Sequence, residues 1–273
     1  MNVVISGAVI SGSLACIMYL LSAAVQMTSL REEVNSKRSI VIVTAIIAII
    51  LHGIFTYPEI YTPAGINIGI YPMASLTSLA IATIVVASSL RRPVGNLLII
   101  LLPFATLTVL LSLLQEGSYA PRTDITDGIF VHIALSVVAY SLLAIAAFQA
   151  ALLSLGDYEL KHRNLAVLRR MPPLQTMESL LFELIWVGLI FLSLSILTGF
   201  TFFGDSDGGR AGLIHHTIIT LTAWVVFAVL LWGRYRLGWR GSLASRWTLA
   251  GFGLLLIGYF GSKLVLELVL GRV

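Results

Sequence analysis

Residues 39–57 read SIVIVTAIIAIILHGIFTY, a run without a charged side chain that directly follows Lys37 and Arg38. A membrane-spanning α-helix needs about 20 predominantly apolar residues, so this run predicts one span. Seven further runs have the same character, at 3–29, 69–90, 94–114, 128–156, 178–203, 212–233 and 247–270. Charged residues make up only 11% of the 273 positions, against about 25% in a soluble domain. The sequence therefore predicts an all-α fold, a polytopic membrane helical bundle of eight transmembrane helices.

The basic residues alternate between the two sides of the predicted membrane. Most of the 17 Lys and Arg residues fall in every second gap between the apolar runs. These are Arg31, Lys37, Arg38, Arg91, Arg92, Lys161, Arg163, Arg169, Arg170, Arg234, Arg236, Arg240 and Arg246. Because positive loops stay in the cytoplasm, this pattern predicts both termini outside. The basic residues of these loops account for the net charge of +4. We therefore expect no nucleic-acid partner.

The connections between spans are too short to hold a soluble domain, so we expect one transmembrane domain over 1–273. The first run has no basic leader segment and no A-x-A site, which favours a retained helix over a signal peptide. Cys16 is the single cysteine, which excludes a disulfide within the chain. The phosphate-loop and HExxH motifs are absent from the sequence. We therefore expect a protein that is not an enzyme.

Ionisable residues within membrane spans are costly and are candidate functional residues by default. The histidines of this kind are His52, His132, His215 and His216. The charged residues near predicted span ends are Glu178, Glu183, Lys263 and Glu267. Long charged side chains at such positions can reach the aqueous interface at little cost, so the histidines are the stronger candidates.

The fifth predicted span carries a polar face. His132, Ser136 and Tyr140 have the spacing i, i+4, i+8 and therefore share one side of a helix. Polar side chains at membrane depth turn away from lipid, so we expect this face to point into the bundle.

The seventh predicted span opens on two adjacent histidines. His216, Thr220 and Trp224 form a second i, i+4, i+8 face, and His215 lies about 100° away around the helix. His132 and His215 fall at similar depth on their two helices. They are the pair that we predict to bind a metal.

Imidazole is the commonest metal ligand among side chains, and two imidazoles on opposite sides of a planar macrocycle hold a bis-histidine haem. Spacing alone leaves zinc, copper and a proton relay open. A hydrogen bond to a backbone carbonyl or to water is the simpler alternative for any single histidine. The absence of acidic residues deep in the predicted spans disfavours a proton-coupled transporter.

Several stretches resemble the cytochrome c assembly family of haem-handling membrane proteins, the CcsA, CcmC and HemX-like type. The stretch VHIALSVVAY at 131–140 is similar to a histidine-bearing helix of that family, and 223–241 resembles its helix and G-W-R-G loop. Further similarity to the YpjD-like branch lies in DYELK at 157–161, MPPL at 171–174 and YFGSK at 259–263. The resemblance extends over nearly the whole chain, including the eight-span layout.

The resemblance implies a haem at the outer face, held by two histidines beneath a tryptophan-rich loop. It places His132 at the first ligand position and His52 where the family has a histidine of an inner haem site. This sequence departs from the family at three places. The tryptophan-rich motif is replaced by RAGLIHHT at 210–217, the second outer histidine has no counterpart in 260–273, and Trp232 replaces the second in-membrane histidine. We therefore expect His215 to substitute as second ligand.

Without the tryptophan-rich surface, thioether formation on an apocytochrome is not supported. The first expectation is a haem-binding or haem-handling protein of the cytochrome c biogenesis type in the bacterial inner (plasma) membrane. Its cofactor would be haem and its partners the lipid bilayer and other membrane proteins, including those of cytochrome c maturation. Two alternatives stay open. One is a HemX-like regulator acting through basic loops at 157–177 and 233–246, and the other is an ion-transport accessory protein.

Overall fold

The structure is a computed structural model. It describes the backbone of residues 2–32, 37–92, 94–114, 123, 125–163, 171–203 and 210–264. Within those ranges the side chains of 2–6, 30–32, 203 and 210–215 lie outside the description.

Eight helices long and apolar enough to cross a membrane are found among the described residues. They are α1 (Asn2–Glu32), α2 (Arg38–Ile60), α3 (Ile70–Ser89), α4 (Gly95–Leu114), α5 (Asp127–Lys161), α6 (Leu174–Phe203), α7 (Arg210–Leu237) and α8 (Gly241–Leu256), which continues through a π-helical turn (Ile257–Gly261) into α9 (Ser262–Leu264). Strands β1 (Tyr61–Thr62) and β2 (Gly65–Ile66) form a short antiparallel hairpin after α2. The predicted all-α membrane bundle of eight spans is confirmed, whereas the outward position of the termini stays a prediction.

Several helices extend beyond the apolar runs that predicted them. The segment 233–246 was expected to be a loop, but α7 continues to Leu237 and α8 begins at Gly241, which leaves 238–240 as the connection. The helix α5 likewise continues to Lys161. Hydropathy marks the part of a helix inside lipid, and a helix does not have to end where the lipid ends. The expected basic loop is therefore largely helical.

The chain divides into two compact units, Met1–Thr123 and Asp124–Arg272. In the first unit α1 packs against α2 and α4, and α3 packs against α2 and α4. In the second unit α5 packs against α6 and α8, and α7 packs against α6 and α8. The expectation of a single domain stays a prediction.

The helix α2 illustrates how these spans are built. Its exposed face carries large aliphatic side chains, namely Ile40, Val43, Ile46, Ile47, Ile50 and Ile54. Its buried face is formed largely by smaller or polar residues, namely Val41, Ala45, Ala48, His52, Phe55 and Thr56. Lipid tails are as apolar as leucine, so small residues and hydrogen bonds rather than apolar bulk favour helix contacts in a bilayer. This distribution directs His52 and Thr56 into the interior of the first unit.

Candidate functional site: a histidine cluster in the second unit

His132 lies on the second turn of α5 and its imidazole is held by α6. Its Nδ1 is 2.9 Å from the Ser195 carbonyl oxygen and 3.2 Å from the Thr198 hydroxyl oxygen. A carbonyl oxygen only accepts hydrogen bonds, so Nδ1 carries the proton in this arrangement. The neutral tautomer then has its lone pair on Nε2. This is the state in which a histidine ligates a metal, with the other ring nitrogen bonded to a backbone carbonyl.

The polar face predicted on α5 points into its bundle. Below His132, the Ser136 hydroxyl donates to the His132 carbonyl at 2.7 Å and lies 2.7 Å from the Ser195 hydroxyl. One further turn along, the Tyr140 hydroxyl donates to the Leu255 carbonyl at 3.3 Å. The predicted inward orientation of His132, Ser136 and Tyr140 is therefore confirmed. Contacts to α6 fix the direction of the His132 ring.

An aromatic cluster adjoins this face. Tyr259 contacts both Tyr140 and His216 edge to face, with ring centroids 5.9 and 6.1 Å apart. Below His216, Thr220 is buried and the Trp224 indole N–H donates to the Ser193 hydroxyl at 2.8 Å. The second predicted face is thus directed at α6 and the last helix. We call the end of the unit that holds His132, His216 and Tyr259 the histidine end.

The second metal ligand predicted from the sequence, His215, has a side chain outside the described residues. Its neighbour His216 is half-buried and belongs to the cluster. The i, i+4, i+8 spacing of His216 already indicated this inward position. Tyr259 is the residue that sequence reasoning missed, since only the three-dimensional packing joins it to the histidines.

Tyr259 stands in the π-helical turn Ile257–Gly261. A Cβ atom on Gly258 would be 3.1 Å from Ile219 Cγ2, so glycine at this position lets the turn approach α7 closely. The Ser262 hydroxyl lies 2.7 Å from the Gly258 carbonyl and 2.9 Å from the Tyr259 carbonyl. The Ser262 hydroxyl thus donates to backbone carbonyls of the widened π-helical turn. Single π-helical turns inside α-helices are frequent at functional sites.

His52, the third predicted cofactor ligand, belongs to the first unit, where its side chain is completely buried. Its Nδ1 is 3.1 Å from the Tyr19 hydroxyl and its Nε2 is 2.9 Å from the Ser75 hydroxyl. The Ser75 hydroxyl is also 3.0 Å from the Thr56 hydroxyl. Both ring nitrogens therefore have protein partners. A haem-ligand role for His52 stays a prediction, and it would require one of these two bonds to break.

Replacing His52 with leucine is expected to destabilise the first unit. The Tyr19 hydroxyl loses its imidazole partner at a fully buried site, and an orphaned buried polar group costs about 1–3 kcal/mol. Glutamine at 52 can both donate and accept, so His52→Gln should retain most of the stability. The measurement is the unfolding midpoint of the two variants and the wild type in detergent. Equal midpoints for leucine and wild type would contradict this account of the network.

The opposite end of the second unit holds an ion cluster that the sequence did not reveal. Glu178 on α6 is only 7% exposed and pairs with both Arg234 of α7 and Arg240 of the α7–α8 connection, the latter at 3.0 Å. Arg234 also donates to the Trp239 carbonyl at 3.2 Å and lies over the Phe182 ring. We call Glu178, Arg234 and Arg240 the Glu178 clamp. It ties α6 to the tight connection between the last two long helices.

The shape of the connection at 238–240 explains how the clamp forms. Gly238 has a φ of +66°, a left-handed backbone conformation that glycine adopts without strain, and it ends α7. The Trp239 N–H then donates to the Gly233 carbonyl at 3.2 Å, which folds the chain back on α7. This places Arg240 next to Glu178. A glutamate interpreted from the sequence as an interfacial residue is thus a structural partner of two arginines.

The Cytochrome C assembly protein family matches residues 8–270. This chain belongs to that family. Among curated relatives of this cytochrome c assembly protein, "Inner membrane protein YpjD" of Escherichia coli (strain K12) is 33% identical over 258 residues. The alignment covers 94% of this chain and 97% of that protein.

More distant relatives carry names from the same family. "Protein HemX" of Brevibacillus brevis is 26% identical over 134 residues, covering 49% of each chain. "Cytochrome c biogenesis protein CcsA" of Chlamydomonas reinhardtii is 22% identical over 185 residues, covering 68% of this chain and 51% of that protein. The comparison with solved structures gave no match. Membership of the cytochrome c assembly family supports a haem-handling membrane protein in general terms.

Two further observations bear on how this cytochrome c assembly protein could hold haem. Trp232, which stands where the resemblance implied a second in-membrane histidine, is 58% exposed on α7 and lies outside the polar faces described above. Groups of three or more His, Cys, Asp and Glu side chains able to hold a metal ion are absent from the described part of the chain. Haem iron needs only one or two axial ligands from the protein, and His132 has the required tautomer. The residues at the histidine end therefore fit haem.

Proposed function

We propose that this protein binds haem at the histidine end of its second unit, as a haem-handling inner-membrane protein of the cytochrome c biogenesis type. His132 would hold the haem iron, together with a histidine of the adjacent pair His215 and His216. The protein holds or transfers haem without forming thioether bonds, since RAGLIHHT at 210–217 stands where the family has its tryptophan-rich motif.

A bond to a backbone carbonyl does not by itself mark a ligand, since the exposed His162 bonds to the Tyr158 carbonyl in the same way. The observation that carries the proposal is this bond at His132, from Nδ1 to the Ser195 carbonyl, at the position where the family resemblance implies a haem ligand. Here a backbone carbonyl of α6, which cannot rotate away, selects one tautomer and fixes the ring direction. Haem bound there would supply an iron centre with redox and ligand-binding chemistry. The chain itself orients the imidazole and packs Tyr259 against both His216 and Tyr140.

The positive-inside pattern places the histidine end on the outer side of the membrane, opposite to the arginine-rich segments. The Glu178 clamp would then lie on the cytoplasmic side. A bacterial inner-membrane location is consistent with the name of the YpjD relative and with eight spans. On this arrangement haem is held at the outer face, where the family resemblance implies it.

The test is a visible absorption spectrum of the detergent-purified protein, recorded as isolated and after addition of haem. We expect the spectrum of a low-spin bis-histidine haem with saturation at one haem per chain. A wild-type protein that stays colourless and takes up no added haem would exclude the proposal. Such an outcome would favour the regulator that acts through a protein partner on the cytoplasmic side.

A further expected result concerns the packing behind His132. A Cβ atom on Gly199 would be 3.1 Å from His132 Cε1, so Gly199→Val should displace the imidazole. Disturbing the groups that orient a ligating histidine typically costs about 10–100-fold in metal affinity. We expect haem affinity, measured by titration, to fall by about 10-fold. Gly253→Val is the matched control, because a Cβ atom on this α8 glycine meets nothing within 4 Å. Equal affinities for the two variants would show that the ring is not held through Gly199.

A further inference from the structure

Two arginines near the Glu178 clamp lie on the outer surface of the second unit. Arg236 belongs to the last turn of α7 and Arg246 to the second turn of α8, and both side chains are exposed. Arg234 and Arg240 are bonded to Glu178, whereas these two arginines form no part of the clamp. We call Arg236 and Arg246 the exposed arginines. Their surroundings indicate what they contact.

The exposed arginines share their helix faces with exposed apolar side chains. Leu243 and Leu249 stand three residues before and three residues after Arg246 on α8, and both are exposed. On α7, the exposed Trp232 precedes Arg236 by four residues. Exposed leucine and tryptophan side chains on a membrane helix face lipid, since lipid tails are as apolar as leucine. The surface around the exposed arginines is therefore open to lipid rather than to a water-soluble protein.

Two tryptophans mark the depth of this surface in the membrane. The Trp239 and Trp247 rings contact each other with centroids 5.3 Å apart, and Trp247 directly follows Arg246. A Cβ atom on Gly233 would be 2.5 Å from Trp239 Cδ2, so the Trp239 ring packs directly on α7. Tryptophan is enriched at the level of the headgroups, and arginine side chains extend to that level from within the apolar layer. The phosphate groups of lipids are thus within reach of the exposed arginines.

The charge of this surface favours an anionic lipid over a zwitterionic one. The sequences of α7 and α8 contain no acidic residue. Two carboxylates lie beside the α7–α8 connection. Glu178 is buried and bonded to two arginines, and the half-buried Asp157 has its Oδ2 3.1 Å from the position of a Cβ atom on Gly241. A zwitterionic headgroup would bring a further cation to the exposed arginines, whereas an anionic headgroup brings none.

We propose that Arg236 and Arg246 bind the headgroup phosphates of anionic phospholipids. A guanidinium group presents two parallel N–H groups to a phosphate, which is a bidentate and charge-assisted contact. The exposed Trp232, Leu243 and Leu249 contact the acyl chains of the same lipids. This lipid site does not depend on haem, because it lies at the opposite end of the unit from the histidine end.

The experiment reconstitutes the full-length protein in phosphatidylcholine vesicles and measures the quenching of tryptophan fluorescence by brominated lipids. All five tryptophans belong to the second unit, so the signal reports the lipid around that unit. Brominated phosphatidylglycerol, which is anionic, is compared with brominated phosphatidylcholine. One arginine at an anionic lipid surface contributes about 5-fold in affinity, so we expect the wild type to prefer phosphatidylglycerol about 25-fold. Arg236→Gln and Arg246→Gln should each reduce this preference about 5-fold, and Arg246→Lys should retain most of it.

Arg163→Gln is the matched control, because Arg163 is an exposed arginine of the same unit that follows the end of α5 beyond its apolar run. It should keep the wild-type preference. Equal affinities of the wild type for the two lipids would overturn the proposal and would favour an acidic protein as partner of the exposed arginines. A preference that survives replacement of both arginines would also contradict it. A parallel loss of both affinities in Arg246→Gln would indicate altered packing and would refute recognition of the headgroup.

Discussion

His132→Ala is expected to lose the bis-histidine haem spectrum and to bind added haem at least roughly 100-fold more weakly than wild type. The physical reason is the loss of the ligand whose tautomer and direction are fixed by the Ser195 carbonyl. The remaining histidine pair at 215 and 216 can offer at best one further axial ligand. Any residual haem should therefore be high-spin and easily removed. The measurement is the absorption spectrum with a haem titration in detergent.

Two sets of control variants test whether the loss is specific to His132 and which residue is the second ligand. His162→Ala removes an exposed histidine whose Nδ1 bonds only to the Tyr158 carbonyl among the contacts described, at 2.8 Å. It should leave the spectrum unchanged. Single and double replacement of His215 and His216 then identifies the second ligand. Retention of the full wild-type spectrum in His132→Ala would refute its role and move attention to His52 in the first unit.

The second large effect is expected on stability. Glu178→Gln should lower the free energy of unfolding by about 2–3 kcal/mol, because it leaves two arginines without their carboxylate. Breaking a buried ion pair by removing one partner costs about 3–5 kcal/mol, and the partial exposure of Arg234 and Arg240 reduces this figure. The measurement is the midpoint of thermal unfolding in detergent. Haem affinity should change little at the opposite end of the unit.

Glu183→Gln is the matched control, since Glu183 is an exposed glutamate on the same helix. It removes the same charge from α6 without touching the Glu178 clamp. If both variants unfold at the same temperature, the clamp contributes no stability. A joint replacement of Arg234 and Arg240 by methionine should restore part of the stability lost in Glu178→Gln, because the unpaired charges are then removed.

The fold was predictable because its main signal is one-dimensional. A run such as 39–57 has the length and composition of a span whatever it packs against, and eight such runs define the bundle. The ends of the helices were less predictable than their existence. The segment 233–246 is polar enough to be interpreted as a loop, yet α7 and α8 continue into it because helices need no apolar residues outside lipid.

Only those features of the candidate site that lie on a single helix could be predicted from the sequence. Spacing placed His132, Ser136 and Tyr140 on one face, and the structure confirms it. The contacts that these residues make with other helices could not be predicted, because the sequence of one helix does not define its rotation or depth relative to the next. Tyr259 could not be joined to His216 for this reason.

The same limitation applied to the two buried polar groups outside the histidine end. His52 finds Tyr19 and Ser75 on two different helices, and Glu178 finds arginines far along the chain. Each of these residues was visible in the sequence as a costly side chain near or within a span. What the sequence lacked was the partner, and only the partner distinguishes a ligand from a structural hydrogen bond.

The π-helical turn gives the last helix room for one residue more than a regular α-helix would hold. An α-helix advances about 100° per residue, and a π turn accommodates one residue more than an α turn. Deleting a single residue from 257–261 would therefore leave a regular α turn of nearly the same angle, and the segment after Gly261 would keep its direction around the axis. Deleting a residue from the α-helical part of α8 would instead rotate Tyr259 and everything after it by about 100°, away from His216. A change of length is thus tolerated at the turn and not before it.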